Sequence, residues 1–168
     1  SPNLPLIDPE ILMGYQERTR VPKGVYTIIG PEIPPALVVP RRHWDDTKPP
    51  LSISTRGILS KFDVKYQLIP LKFHGYPGFD PFLKLLVWEY PDPDYVYGVG
   101  VDCSEGIGQD RAVIEVLREA TPYREPGQVA EWASPNVTAF QLWPFVMAVS
   151  SMYSTFRQSA GRQVQCRL

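Results

Sequence analysis

The stretch YVYGVGVDCSEGIGQDRAVIEVL, Tyr95 to Leu117, decides how the chain reads. Its first eight residues, Tyr95–Asp102, alternate β-branched or aromatic residues with glycine and end on an acid, which predicts a strand. Cys103–Gln109 is a loop carrying two glycines, Gly106 and Gly108. Asp110–Leu117 resumes as a second strand. Two-residue alternation puts Gly98, Gly100 and Asp102 on one face of the first strand and Val99 and Val101 on the other. Asp102 is therefore expected at a strand terminus, beside a face stripped of side chains.

Working outward, Leu83–Glu89 reads as a preceding strand, followed by the turn Pro91–Asp94. Downstream, Pro122, Pro126 and Gly127 mark a turn before a third strand at Gln128–Trp132. The pattern is that of an antiparallel meander. Asn136 or Thr138 then caps a helix reaching about Arg157. Its expected apolar stripe is Phe140, Trp143, Val146 and Val149, then Met152, Tyr153 and Phe156. Pro144, near the first turns, is expected to kink that helix or delay its regular start. Trp132, Trp143 and Phe145 are assigned to the core. Gln163–Leu168 begins a further strand.

The first half has a different grammar. Of 19 prolines, 13 lie within residues 1–81, and none lies between Asp94 and Thr121. Asp8 and Pro9 open a short helix over Glu10–Arg20. Lys23–Gly30 reads as a strand, Pro31–Pro50 as an extended connection, and Val64–Phe73 as a strand pair or a bent strand interrupted at Pro70. Residues 1–80 are thus expected to be a linker or accessory segment, and residues 81–168 the start of the regular domain.

Composition narrows the classes of function. With 43% hydrophobic and 21% charged residues, the chain has the balance of a globular protein. A formal net charge of -1 excludes a uniformly basic surface, so any DNA contact must come from a few placed cations and bound metal. Cys103 and Cys166 form no paired motif, which argues against structural zinc and for a reducing compartment. No apolar run reaches membrane-spanning length, and Ser1–Asp8 has no signal-peptide pattern. The expected location is cytoplasmic.

Chemistry concentrates in Asp102, Glu105 and Asp110, three carboxylates at the mouth of one hairpin, which repel one another unless a cation or hydrogen bonds offset them. Mg²⁺ or Mn²⁺ held by carboxylate oxygens is one reading. The other is that these residues cap turn amides or face solvent, as acids in glycine-rich turns do. His43 and His74 each neighbour an aromatic residue and read as surface or packing residues. Arg41-Arg42 reads as a solvated pair, with phosphate or partner contact as the alternative. Ser104 has no histidine near it in sequence to make it a nucleophile.

The segment LLVWEYPDPDYVYGVGVDCSEGIGQDRAVIEVL, residues 85–117, resembles the start of the nuclease domain in large terminase subunits of tailed bacteriophages. There a strand ending in Trp-Glu-x-Pro, here Trp88-Glu89-Tyr90-Pro91, precedes the strand whose aspartate opens the metal site. The family's spacing of aspartate, acid, glycine and aspartate is matched by Asp102, Glu105, Gly106 and Asp110. Gln128–Glu131 and the following helix resemble its third strand and first helix. The likeness covers about residues 82–168.

That resemblance implies an α/β fold: a ribonuclease H-like mixed sheet of antiparallel meander, helix and further strand, truncated here and preceded by a proline-rich, β-containing extension. It implies cleavage of concatemeric viral DNA by two-metal hydrolysis, with Asp102 as bridging ligand and Glu105 and Asp110 as further metal ligands. Implied partners are double-stranded viral DNA, the ATPase domain of the same parent chain, the small terminase subunit and the portal, in the host cytoplasm and with no membrane. The family's remaining acids lie beyond this chain, so the two-metal site is incomplete and the fragment is expected to be inactive alone. Two alternatives stay open: an actin- or sugar-kinase-like phosphotransferase fragment that cradles phosphate in the glycine loop, and a non-enzymatic interaction module.

Overall fold

The computed structural model describes residues 20–30, 33, 35–55, 64–73, 84–104 and 110–154. Seven strands form one sheet: β1 Gly24–Ile29, β2 Leu51–Thr55, β3 Val64–Pro70, β4 Lys84–Val87, β5 Tyr97–Asp102, β6 Ala112–Arg118 and β7 Gly127–Ser134. Their order across the sheet is β2-β3-β1-β4-β7-β6-β5, and every described pairing is antiparallel. Among the described residues one α-helix, α1, runs from Ala139 to Ser154.

The expected meander is present as β5-β6-β7. β4 joins its far side at β7, and β1 and β3 continue outward from β4. Strands from the first half thus belong to the same sheet as the meander. β2, whose residues the sequence reading assigned to no element, is the outermost strand on that side. Pro70 closes β3 opposite Tyr26, and its carbonyl accepts from the Asp45 N–H rather than from β1. Its nitrogen points the same way as that carbonyl, so the missing donor costs no ladder bond.

α1 packs against β2 at one edge of the sheet and against β5 and β6 at the other. The Ser151 hydroxyl donates to the Ser54 carbonyl on β2. A helix can touch both ends of a seven-stranded sheet only if the sheet curls around it. A bulge in β7 adds to the curl: Val116 faces Ala130 but Leu117 faces Gln128, leaving Val129 as an extra residue. The Val129 carbonyl is not wasted, since it accepts from the backbone N–H groups of Trp88 and Glu89 at 2.8 and 3.1 Å.

The core fills the inside of the curl. Trp132 is fully buried and stacks on Phe145 of α1 with ring centroids 4.5 Å apart. Around them pack Tyr26, Ile28, Tyr66, Leu68, Leu85 and Ile114. A smaller cluster, Val25, Val39 and Leu71 with Trp44 and Leu86, lies on the outer face, where the connection between β1 and β2 covers the sheet.

α1 begins with a reciprocal cap: the Gln141 N–H donates to the Thr138 hydroxyl oxygen, and the Gln141 side-chain oxygen accepts from the Thr138 N–H. Pro144 lies inside the helix. The buried stripe is Leu142, Phe145, Val146, Val149 and Tyr153. Two expectations are corrected here. Trp143 is 44% exposed and Phe140 is 90% exposed, so neither belongs to the core. Trp143 lies roughly 100° and Phe140 roughly 160° around the helix from the middle of the buried stripe, on a face that the sheet does not reach. The helix expected at Glu10–Arg20 and the strand expected at Gln163–Leu168 lie outside the described residues, apart from Arg20, which is not helical.

Candidate functional site

β5 shows the expected alternation. Tyr97, Val99 and Val101 are partly buried against the core, while Gly98, Gly100 and Asp102 are exposed on the outer face. A methyl group added at Gly98 or Gly100 would meet nothing within 4 Å. Neither glycine is there to relieve crowding, so the bare strip is open space at the surface. Asp102 ends the strand opposite Val113, and among the described residues its carboxylate has no hydrogen-bond partner. It is exposed rather than turned into the apolar interior, and among the described residues no amide donates to it.

Asp110 is exposed and stands just before β6, so the hairpin brings it to the same end of the sheet as Asp102. Glu105 lies outside the described residues. The Ser104 hydroxyl donates to the Val137 carbonyl at 3.5 Å, which ties the start of the loop to the approach to α1. Cys103 is exposed with a free thiol, and His74 and Cys166 are outside the described residues. His43 accepts from Arg42 Nε at 3.2 Å.

Asp102 offers the hard oxygen donor that Mg²⁺ or Mn²⁺ takes, and its exposure leaves room for the ion's remaining waters. Among the described residues, no group of three or more His, Cys, Asp or Glu side chains is arranged to hold a metal ion. One carboxylate supplies one corner of such a site, and the donor type fits.

The outer face carries a second acidic feature. Glu115 and Glu131 face each other directly across β6 and β7, and Glu115 also faces Gly100 on β5. Like charges so placed destabilise a ladder. The Gln128 amide offsets this by donating to Glu131 Oε2 at 2.9 Å and to Glu115 Oε1 at 3.5 Å. Alternation within Ala112–Arg118 already places Glu115 with Val113 and Leu117 on the outer face, so half of this pair was findable; the cross-strand register was not.

At the opposite end of β5 lies an ionic hub that sequence reasoning missed. Glu89 accepts from Arg118 Nε at 3.2 Å and from Arg124 Nη2 at 2.9 Å, and lies 3.5 Å from Arg20 Nη1. Arg118 is only 4% exposed, and both it and Arg124 lie over the Tyr95 ring, at 5.3 and 5.5 Å. The Tyr95 contact, then the Glu89 charge, raise the Arg124 pKa further above its ordinary value. Tyr153 donates to the Glu89 carbonyl at 2.7 Å and meets the Tyr97 ring edge-on at 5.1 Å. Burial pushes the Tyr153 phenol well above its ordinary pKa. This hub ties the entry to β1, the end of β4 and the β6–β7 connection together, far from Asp102.

Comparison with models of protein families, with curated proteins and with solved structures finds no match.

Proposed function

We propose that this chain is part of a phage large terminase subunit, containing the first half of a ribonuclease H-like nuclease domain that cuts viral DNA during packaging. The observation that carries the reading is the placement of Asp102: exposed at the end of β5, flush with a strip bare at Gly98 and Gly100, in the hairpin that opens a β5-β6-β7 meander followed by α1. The spacing from Asp102 through Glu105 and Gly106 to Asp110 supports it further.

In this reading each residue has a limited task. Asp102 would hold Mg²⁺ or Mn²⁺ through a carboxylate oxygen, with Asp110 and Glu105 completing this chain's share of the ligands. The absence of side chains at Gly98 and Gly100 lets a phosphodiester backbone come close to β5 without a steric barrier. When bound, the ions supply an activated water and stabilise the leaving oxygen. A two-metal site needs further acids beyond these three.

Paramagnetic Mn²⁺ titrated into the chain tests this directly. Amide resonances of Val101–Ser104 and Asp110–Val113 should broaden in the wild type and stay sharp in Asp102→Asn. Broadening that persists unchanged in the variant sinks the assignment. In a parent chain carrying the further acids, Mn²⁺-dependent plasmid cleavage should disappear with Asp102→Ala.

A further inference from the structure

The net charge of -1 is unevenly spread. Residues 1–80 carry ten Lys or Arg against eight Asp or Glu, a balance of +2, and residues 81–168 carry seven against ten, a balance of -3. The register shows where these charges lie. Leu71 donates its N–H to Val25, and Val25, Leu86, Glu131, Glu115 and Gly100 then face one another strand by strand, so all share the outer face. One end of that face carries Gly100, Glu115, Glu131 and Asp102. The other end is covered by the turn Arg41–His43, held down by Val39 and Trp44 packing on Val25 and Leu71.

That turn assembles cations. Arg41 and Arg42 are successive and exposed, and the Lys72 N–H donates to the His43 carbonyl at 3.1 Å, which sets an exposed lysine beside them. Arg41 lies 6.0 Å from the centre of the Trp44 ring, whose indole N–H is anchored on the Val39 carbonyl at 2.9 Å. Two exposed cations are paired, Lys48 with Asp45 at 3.3 Å and Arg124 with Glu89 at 2.9 Å, while Lys23, Lys65 and Arg111 stand singly without a carboxylate among the described residues. Arg41, Arg42 and Lys72 have no carboxylate partner among the described residues. Two successive exposed arginines on an ordered turn, with Lys72 joined to that turn through its backbone, form a local cationic cluster, the footprint of polyanion binding.

We propose that Arg41, Arg42 and Lys72 form a phosphate-contacting surface for duplex DNA, gripping the backbone away from the Asp102 end. The identity of the polyanion rests on the nuclease reading above; the surface itself rests on charge and register. From Leu71 to Gly100 there are five strand spacings, on the order of 24 Å along the curled sheet. A duplex lying across the outer face would therefore meet the cationic turn within one helical turn, about 34 Å, of the strand bearing Asp102. Glu115 and Glu131 repel phosphate between the two, so the duplex is held at the ends of the face rather than pressed onto its middle.

The test is fluorescence anisotropy of a short labelled DNA duplex with the whole chain, without divalent ions, over a series of salt concentrations. The slope of log affinity against log salt should fall by roughly 2–3 in Arg41→Gln/Arg42→Gln/Lys72→Gln, since each lost phosphate contact removes about 0.9. Because Arg41 also stacks on Trp44, the double variant Arg42→Gln/Lys72→Gln provides a version that keeps that packing and should lose roughly 2. Lys48→Gln, whose ammonium is already paired, should leave the slope unchanged. An unchanged slope in the multiple variants overturns the proposal, and so does absence of binding by the wild type at low salt. Displacement of the duplex by polyglutamate at equal charge would also overturn it, in favour of an acidic protein partner. The nuclease reading is decided separately, by Mn²⁺ at Asp102, and survives any of these failures.

Discussion

Single residues differ in what they carry, and burial separates them. Trp132 is fully buried and stacked on Phe145, so Trp132→Ala should cost about 3–5 kcal/mol in chemical denaturation. Trp143→Ala, at 44% exposed, should cost less than about 1 kcal/mol. Equal losses at the two positions would mean that the outward face of α1 is covered in solution. Tyr153 adds a pH dependence. Its phenol is held protonated by burial, so its pKa in the fold lies above the ordinary value of 10.0 that it takes when unfolded. The folded state then keeps a proton that the unfolded chain releases, so the contribution is whole below pH 10 and is lost as pH rises beyond it. Tyr153→Phe should flatten that alkaline decline. It should also cost about 1 kcal/mol at neutral pH, because the Glu89 carbonyl loses its donor.

Among the elements, the β6–β7 ladder and α1 show what local sequence can and cannot specify. Glu89, just past β4, holds a guanidinium that is almost wholly buried, and Glu89→Ala leaves Arg118 without its anion. The expected loss is about 3–5 kcal/mol, near the lower bound because Arg118 keeps its bond to the Glu125 carbonyl and its place over Tyr95. A loss below about 1 kcal/mol by urea titration would mean that the hub is a surface feature. Thr138→Ala removes half of a reciprocal cap and should cost about 1 kcal/mol. The cap and β5 were readable because they depend on residue type and two-residue alternation alone. The buried side of α1 was not, for a physical reason: Ala139–Ser154 contains no charged residue, so no polar face marks which way the helix turns. β2 hid for a related reason. Leu51–Thr55 follows two prolines and alternates apolar with serine at an outer position, so it resembles a loop until β3 is set beside it. For the site, Asp102 and its bare strip followed from alternation, whereas the Glu115–Glu131 pair, the Glu89 hub and the cationic turn depend on contacts between distant segments.

At the scale of the whole molecule, strand order decides what can be removed. β4 is bracketed by β7 on one side and β1 on the other, so the strands before residue 80 continue the sheet that carries Asp102. Without them, β4 becomes an open edge, and the core loses Tyr26, Ile28, Tyr66 and Leu68, all buried against the same cluster as Trp132. α1 would also lose β2, the strand it grips through Ser151, and with it the arrangement that keeps the sheet curled. Four large buried side chains, each worth about 1.5–3 kcal/mol of burial, exceed what a small domain has to spare. A chain beginning at Pro81 should therefore give a collapsed amide spectrum and no cooperative thermal transition, where residues 1–168 should give both dispersion and a sharp one. A well-dispersed spectrum from the shorter chain would show that the meander and α1 form a self-sufficient unit, with the first three strands as an addition to it.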